Sequence, residues 1–537
     1  MTSMSKWACG FIACVVTSVT PLYAQHTDHE GGHASGAAIG HVSFPNSGSS
    51  SAQNALRTGL AYLHSFEYDQ AADSFRAAEQ ADPRFALPYW MEAFTNSKLV
   101  WGIEDKAAAL APLQRLGPTA EARLALARMP AEKAFGEAIE TFYRDGPVEA
   151  RAKAFSEGVQ KWAKQMPADQ EAHAFAALGL ILEAYFVEGK TADSLNAESV
   201  RHGQFVFDRN PQHPGAAHYI IHASDNPAGA QRGLKAARAY SRIAPDAEHA
   251  LHMPSHIFLP LGLWDDMVQS NERAWRASRT YVAKQNRPVW ENDWHSLNWL
   301  QSAYLQLGRW KDARALIDTA RALTSPAKGK VKAADDPDAM YAVEQLAFRY
   351  ASETGDWSVF PSDSIELSLG DSAISERAQG MGGSSLYQRT VAAALRGDTA
   401  RVNASIATIQ KIRPQLAEVV NSLVAAQRHD TASMISILEK VWPRTRVDRF
   451  STMVPNQGLI PGEMLAGALA SAGRPREAIG IYRAVLEDRP RRAVSMLGLA
   501  RAQEAAGDKA GSKQTYDELR RMWKNADPAV RALIDRR

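Results

Sequence analysis

The chain has 537 residues, 45% of them hydrophobic and 22% charged, with 61 Lys and Arg against 59 Asp and Glu. That length exceeds one compact core, so several domains or an extended repeat array is expected. The near-balanced charge offers no basic field, which excludes nucleic acid and an anionic membrane surface from the expected partners.

The first 24 residues read as a signal peptide. Lys6 supplies the positive start, Trp7 to Val19 form an apolar run too short to span a bilayer, and Leu22-Tyr23-Ala24 precedes Gln25 as a cleavage tripeptide. A lipoprotein signal, with Phe11-Ile12-Ala13 before Cys14, is the second reading. The expected location is therefore periplasmic or secreted, and no later segment is apolar enough to cross a membrane. Cys9 and Cys14 are the two cysteines, and both lie inside the signal. The mature chain is then expected to have no disulfide, no thiolate ligand and no cysteine nucleophile. Any metal must be held by His, Asp and Glu.

Residues 25–53 are rich in His, Gly and Ser, carry His26, His29, His33 and His41, and read as a flexible linker. Helical repeats start near residue 54. Gly59, Tyr62, Ala71, Phe75, Ala78 and Pro83 have the spacing of a tetratricopeptide repeat: small residues where two helices approach, aromatics between them, and a proline that stops the second helix. Near the other end, Leu465, Ala466, Gly473 and Tyr482 recur 34 residues later as Leu499, Ala500, Gly507 and Tyr516. Gly262, Gly308, Gly355 and Gly397 mark further turns. No alternating strand pattern competes. The expectation is an all-α solenoid in two tetratricopeptide-like arrays, 54–324 and 338–537, joined by a linker at 325–337 that contains Lys, Gly and Pro.

Seven of the 15 histidines fall between residues 213 and 295. His218 and His222 are four residues apart, as are His252 and His256, and each pair is expected to share a helical face. The two pairs are also offset by 34 residues, which places them at equivalent positions of consecutive repeats. Four imidazoles are therefore expected to converge on the concave face. Pro254 stands between His252 and His256 and threatens a continuous helix there. His249 adds an imidazole one turn before His252. His295 precedes Gly308 by 13 residues, as His249 precedes Gly262. Asp225 follows His222 by one turn. Mixed His and carboxylate ligands suit a divalent metal, zinc first, with manganese, iron or copper also compatible. The metalloprotease pattern is absent, since Tyr219 and Met253 stand where it needs Glu. Trp290, Trp294 and Trp299 are the expected pocket-wall indoles, while Trp264 and Trp310 are expected to pack between helices.

Several blocks resemble a family of secreted bacterial tetratricopeptide-repeat proteins: His41-Val-Ser-Phe-Pro-Asn-Ser, Leu63-His64-Ser65-Phe66, Pro88-Tyr89-Trp90, His213-Pro-Gly-Ala-Ala-His218-Tyr-Ile-Ile-His222 and His252-Met-Pro-Ser-His256-Ile-Phe. The resemblance covers roughly residues 40 to 320. Gly48 stands where that family usually has Cys, and Ser224 or Asn226 where it often has Asp. The resemblance implies the fold, export and the importance of the His blocks, and it names no substrate. Two functions are expected from the sequence. One is a scaffold that binds a protein, peptide or small ligand in its concave groove, with a His-based metal site. The alternative is a zinc-type hydrolase at the same cluster, with Glu291 or Asp293 activating water.

Overall fold

A computed structural model describes residues 38–101, 103–324, 337–360, 376–446 and 458–535; of Trp101, Trp290, residues 337–340 and residues 376–384 only the backbone is described. The proposed signal peptide and residues 325–336 of the expected linker lie outside the described residues. Helices follow one another along the whole described chain, with one short antiparallel ladder pairing Ser97–Lys98 with Ile103–Glu104. The protein is an all-α solenoid of tetratricopeptide-like hairpins.

The first hairpin shows why. Helix Gln53–His64 packs on helix Tyr68–Ala81, with Phe75, Ala71 and Ala78 fully buried between them. A Cβ on Gly59 would stand 2.6 Å from the Phe75 ring, so the missing side chain sets the approach of the two helices. Within later hairpins, Gly262 and Gly308 take φ of +62° and +68°, the left-handed turn that side-chain-bearing residues disfavour. Among the described residues no helix is long and apolar enough to cross a membrane.

Two expectations about organisation change. Residues 38–52, read from composition as flexible linker, are docked instead. Ile39, Val42 and Phe44 are buried, and His41 donates its N–H to the Gln212 carbonyl at 2.9 Å. Their alternation, one apolar side chain at nearly every second residue, is an extended-chain pattern hidden by the surrounding Gly and Ser. The second change concerns the expected junction. Helix Trp310–Thr324 packs on helix Pro337–Thr354, so hairpin stacking continues across it. The Gln301 amide reaches the Leu346 carbonyl at 2.9 Å, and buried Arg349 reaches the Asn298 carbonyl at 2.8 Å.

The C-terminal repeats also fold back onto the His-bearing hairpins. Trp264 donates its indole N–H to the Arg491 carbonyl at 2.9 Å, and Arg491 returns a guanidinium bond to the Gly262 carbonyl at 2.9 Å. Trp523 bonds the Gln306 carbonyl at 2.9 Å, and the Asp527 N–H bonds the Gly308 carbonyl at 3.0 Å. The central hairpins, which carry the histidines, are thus held from both ends of the chain.

Candidate metal centres

Three consecutive hairpins supply the histidines. Helix Pro214–Ser224 starts at His213, whose Nδ1 caps the Ala216 N–H at 3.1 Å, and Pro214 takes the first helical position, where its missing N–H costs nothing. That helix carries His218 and His222. The next first helix is broken. Glu248–His252 ends at Met253-Pro254, and a second short helix, Ser255–Phe258, follows. Pro254 interrupts it as the sequence warned. His252 therefore closes one helical turn and His256 belongs to the next. Helix Trp294–Gln306 brings His295.

These six imidazoles form two triads rather than one cluster of four. His218, His222 and His249 each point a ring nitrogen to within 4.8 Å of the others, and so do His252, His256 and His295. Each triad takes its four-apart pair from one hairpin and its single histidine from the next. They do not line an open groove: His218, His249, His252, His256 and His295 are all at most 8% exposed.

Proton placement shows how each ring is turned. His218 Nδ1 lies 2.7 Å from the His64 carbonyl, which only accepts, so Nδ1 carries the proton and Nε2 faces inward. His218 Nε2 is 3.1 Å from His249 Nε2. His252 Nδ1 lies 2.7 Å from Asn271 Oδ1. The Asn271 amide is fixed because its nitrogen donates to Ser255 Oγ and the Met267 carbonyl, both at 2.8 Å. So His252 also donates through Nδ1 and turns Nε2 inward, 3.2 Å from His256 Nε2. His256 donates Nδ1–H to Asp225 Oδ2 at 2.7 Å. Outer oxygens that fix the tautomer and aim the second nitrogen are the arrangement of metal-ligating histidines. Tetrahedral ligands about 2.0–2.1 Å from an ion stand roughly 3.3 Å apart, close to both Nε2 separations.

Five of the six rings are also held neutral, as ligands must be. Burial pushes His218 and His252 down to about 3, and lowers His222, His249 and His295 well below the ordinary imidazole value, with the neighbouring imidazoles adding to the effect. His222 Nε2 is buried without a hydrogen-bond partner, and Asp225 Oδ1 is too. A neutral group left so costs about 1–3 kcal/mol, and a cation in the first triad would remove that cost at His222. Aromatic rings wall both triads. Phe66 lies 4.3 Å from His218 and 5.8 Å from His249 between ring centres, and Trp299 lies 4.6 Å from His256 and 5.1 Å from His252.

A third group makes an instructive contrast. His64, Glu171 and His213 also cluster, but every ligand atom is engaged. His64 Nε2 lies 2.9 Å from Glu171 Oε2 and its Nδ1 lies 2.9 Å from the Tyr219 hydroxyl. His213 Nε2 reaches Glu171 Oε1 at 3.3 Å, where the Ser43 N–H also arrives at 3.2 Å. Burial alone would raise the Glu171 carboxyl, but His213 and His64 hold it well below the usual carboxylate range. This group is a closed polar lock joining the N-terminal segment to helices Gln53–His64, Gln170–Ala184 and Pro214–Ser224.

The other expected residues have different positions. Asp225 is not among the triad ligands; it orients His256. Asp293 caps helix Trp294–Gln306, accepting from the Ser296 N–H at 2.9 Å and from the Ser296 hydroxyl. Glu291 pairs with Arg287. Both acids proposed to activate water are thus held by other groups. Trp299 walls the second triad as expected. Trp294 instead packs on Trp275, 5.7 Å between ring centres, and the Trp290 side chain lies outside the described residues. Trp264 is buried and Trp310 partly buried in the helix packing. Sequence reasoning did not find Phe66, Asn271 or Glu171 as parts of the site's surroundings. The Leu63-His64-Ser65-Phe66 block was the available signal for Phe66; Asn271 and Glu171 had none.

A tetratricopeptide-repeat family profile matches residues 469–536. No curated protein matches the chain. Among solved structures, the human IFIT1 dimer with PPP-AAAA is 12% identical, covering 87% of this chain and 95% of that one at a TM-score of 0.36. Yeast Tom70 is 10% identical, covering 88% and 87% at a TM-score of 0.27. The tetratricopeptide domain of P58(IPK) is 12% identical, covering 85% and 98% at 0.22. At these scores the likeness carries no argument about ligands or partners.

Proposed function

We propose that this protein is an exported tetratricopeptide-like solenoid that binds transition-metal ions at the two histidine triads. The observation that carries the reading is the orientation of the rings. His218, His252 and His256 each donate Nδ1–H to a fixed oxygen and turn Nε2 toward another imidazole. Between His252 and His256 both protons sit on Nδ1, so two Nε2 lone pairs face each other at 3.2 Å, an arrangement that a purely structural pair avoids and a shared cation relieves. The closed His64–Glu171–His213 group shows what a structural cluster in this fold looks like, with every nitrogen bonded. A divalent ion in the first triad would complete His222 Nε2. Catalysis by Glu291 or Asp293 has no geometric support, because both are occupied elsewhere, so binding is the reading rather than hydrolysis. The helical-repeat fold is consistent with protein binding, and a protein partner could receive or deliver the metal.

The test is elemental analysis of the purified full chain, with a paired variant. His222→Ala with His256→Ala removes one ligand from each triad, and retained metal should fall from stoichiometric to trace with helicity unchanged by circular dichroism. Unchanged retention would place the metal elsewhere. Absence of metal in the wild type after loading with zinc and copper salts would end the reading.

A further inference from the structure

We propose that the two triads form one dinuclear centre and that its ion is copper. This rests on the metal-binding reading above and goes further in ion identity, stoichiometry and coupling.

Proximity comes first. His222 of one triad and His256 of the other have ring centres 6.4 Å apart. An imidazole holds its ion about 3 Å from the ring centre, so ions bound to these two rings lie within roughly 13 Å of each other. The triads also share one chain segment: His249 serves the first and His252 the second, three residues apart between Glu248 and His252.

Charge comes second. Two dications this close repel, and an anion at their seam offsets that repulsion. Asp225 is placed there. It ends the helix that carries His218 and His222, and its Oδ2 holds His256 of the other triad. Its Oδ1 is buried with no hydrogen-bond partner, which leaves an anionic oxygen unused at the seam.

Ligand chemistry comes third. Six imidazoles supply the donors, with no carboxylate in either triad and no cysteine beyond Cys9 and Cys14. Hard cations such as magnesium, calcium and manganese want oxygen ligands, and for nitrogen donors affinity rises through nickel to copper and falls at zinc. The aromatic walls of Phe66 and Trp299 limit water as a further ligand.

The experiment uses the full chain loaded with copper(II) sulfate and kept oxidised, read by elemental analysis and electron paramagnetic resonance, alongside His222→Gln and His295→Gln. The expected result is two coppers per chain in the wild type, with a half-field transition or dipolar broadening from coupling between the two spins. Each variant should hold one copper with a full-intensity mononuclear spectrum. A wild-type spectrum equal to the sum of the two variants' spectra would overturn the dinuclear centre while leaving metal binding intact. Displacement of copper from both sites by equimolar zinc chloride would overturn the choice of ion. A wild type that keeps no metal at all removes the parent reading as well. Should a variant lose helicity, the wild-type half-field transition and dipolar broadening decide alone.

Discussion

Asp225 Oδ2 accepts the Nδ1–H of His256 at 2.7 Å, so a residue that ends the helix of one triad orients a ligand of the other. Loss of an outer partner of this kind typically lowers metal affinity about 10–100-fold. Asp225→Asn is therefore expected to weaken the second triad by that factor, as measured by competitive metal titration. The fold should tolerate it, because an amide oxygen can still accept the Nδ1–H. Equal affinity in wild type and variant would remove Asp225 from the site.

Much of this was legible in the sequence, for reasons specific to repeats. The 34-residue offset between His218 and His252, and the shared 13-residue distance of His249 and His295 from the turn glycines, record one three-histidine unit used twice. The division into two triads was not legible. Spacing gives the helical face of each pair, but it does not say that the single histidine of the next hairpin completes the pair before it. Asn271 and Glu171 act through distant chain contacts, which a local pattern cannot carry. The docking of residues 38–52 was masked by composition, because Gly and Ser dominate around Ile39, Val42 and Phe44.

Gly215 tests how tightly the triads rest on the neighbouring lock. A Cβ there would stand 2.7 Å from His64 Nδ1 and 3.0 Å from the Tyr219 ring. His64 has no room to yield, since Glu171 and Tyr219 bond both its nitrogens. Overpacking costs about 1–3 kcal/mol, against a helix-propensity gain near 1 kcal/mol. Gly215→Ala is expected to lower stability by up to about 2 kcal/mol in urea denaturation. A stabilised variant would mean that the lock is loose.

The same lock sets a direction for pH. Burial lowers His64 below its ordinary value, partly opposed by Glu171, so the native ring stays neutral where the unfolded one takes a proton. Glu171 is held low, so it stays ionised where the unfolded carboxyl protonates. In both cases the unfolded state binds more protons, and stability rises with pH. The contribution of this lock to the stability of the metal-free protein should be flat above about pH 7 and fall below about 6.5 as unfolded histidine charges. It should fall further below about 4.3, with each such imidazole contributing up to ~1.4 kcal/mol per pH unit. Urea midpoints of the wild type and of His64→Gln with Glu171→Gln, measured from pH 8 to 4, check this, and a difference between them that does not change with pH would contradict it.

The last prediction concerns what clamps the C-terminal repeats to the helix that carries His295. Arg492 is buried and bonds Glu353 at 2.6 Å and Glu463 at 2.6 and 3.0 Å, joining helices Pro337–Thr354 and Pro461–Ser471 at the start of helix Ala493–Ala505. The next residue continues the junction: the Ala493 N–H donates to Gln306 Oε1 at 2.9 Å, at the end of helix Trp294–Gln306. Burial works against the guanidinium charge, but the two carboxylates outweigh it and hold Arg492 firmly protonated. Removing one partner of a buried ionic group leaves uncompensated charge and costs about 3–5 kcal/mol. Arg492→Met keeps most of the volume and removes the charge, so the full cost should appear as a lower urea midpoint. Arg492→Met with Glu353→Gln and Glu463→Gln removes the stranded charges and should recover a substantial part of it. Failure of the triple variant to recover would assign the loss to packing rather than charge. An unchanged midpoint in Arg492→Met would show that the C-terminal repeats do not depend on this junction.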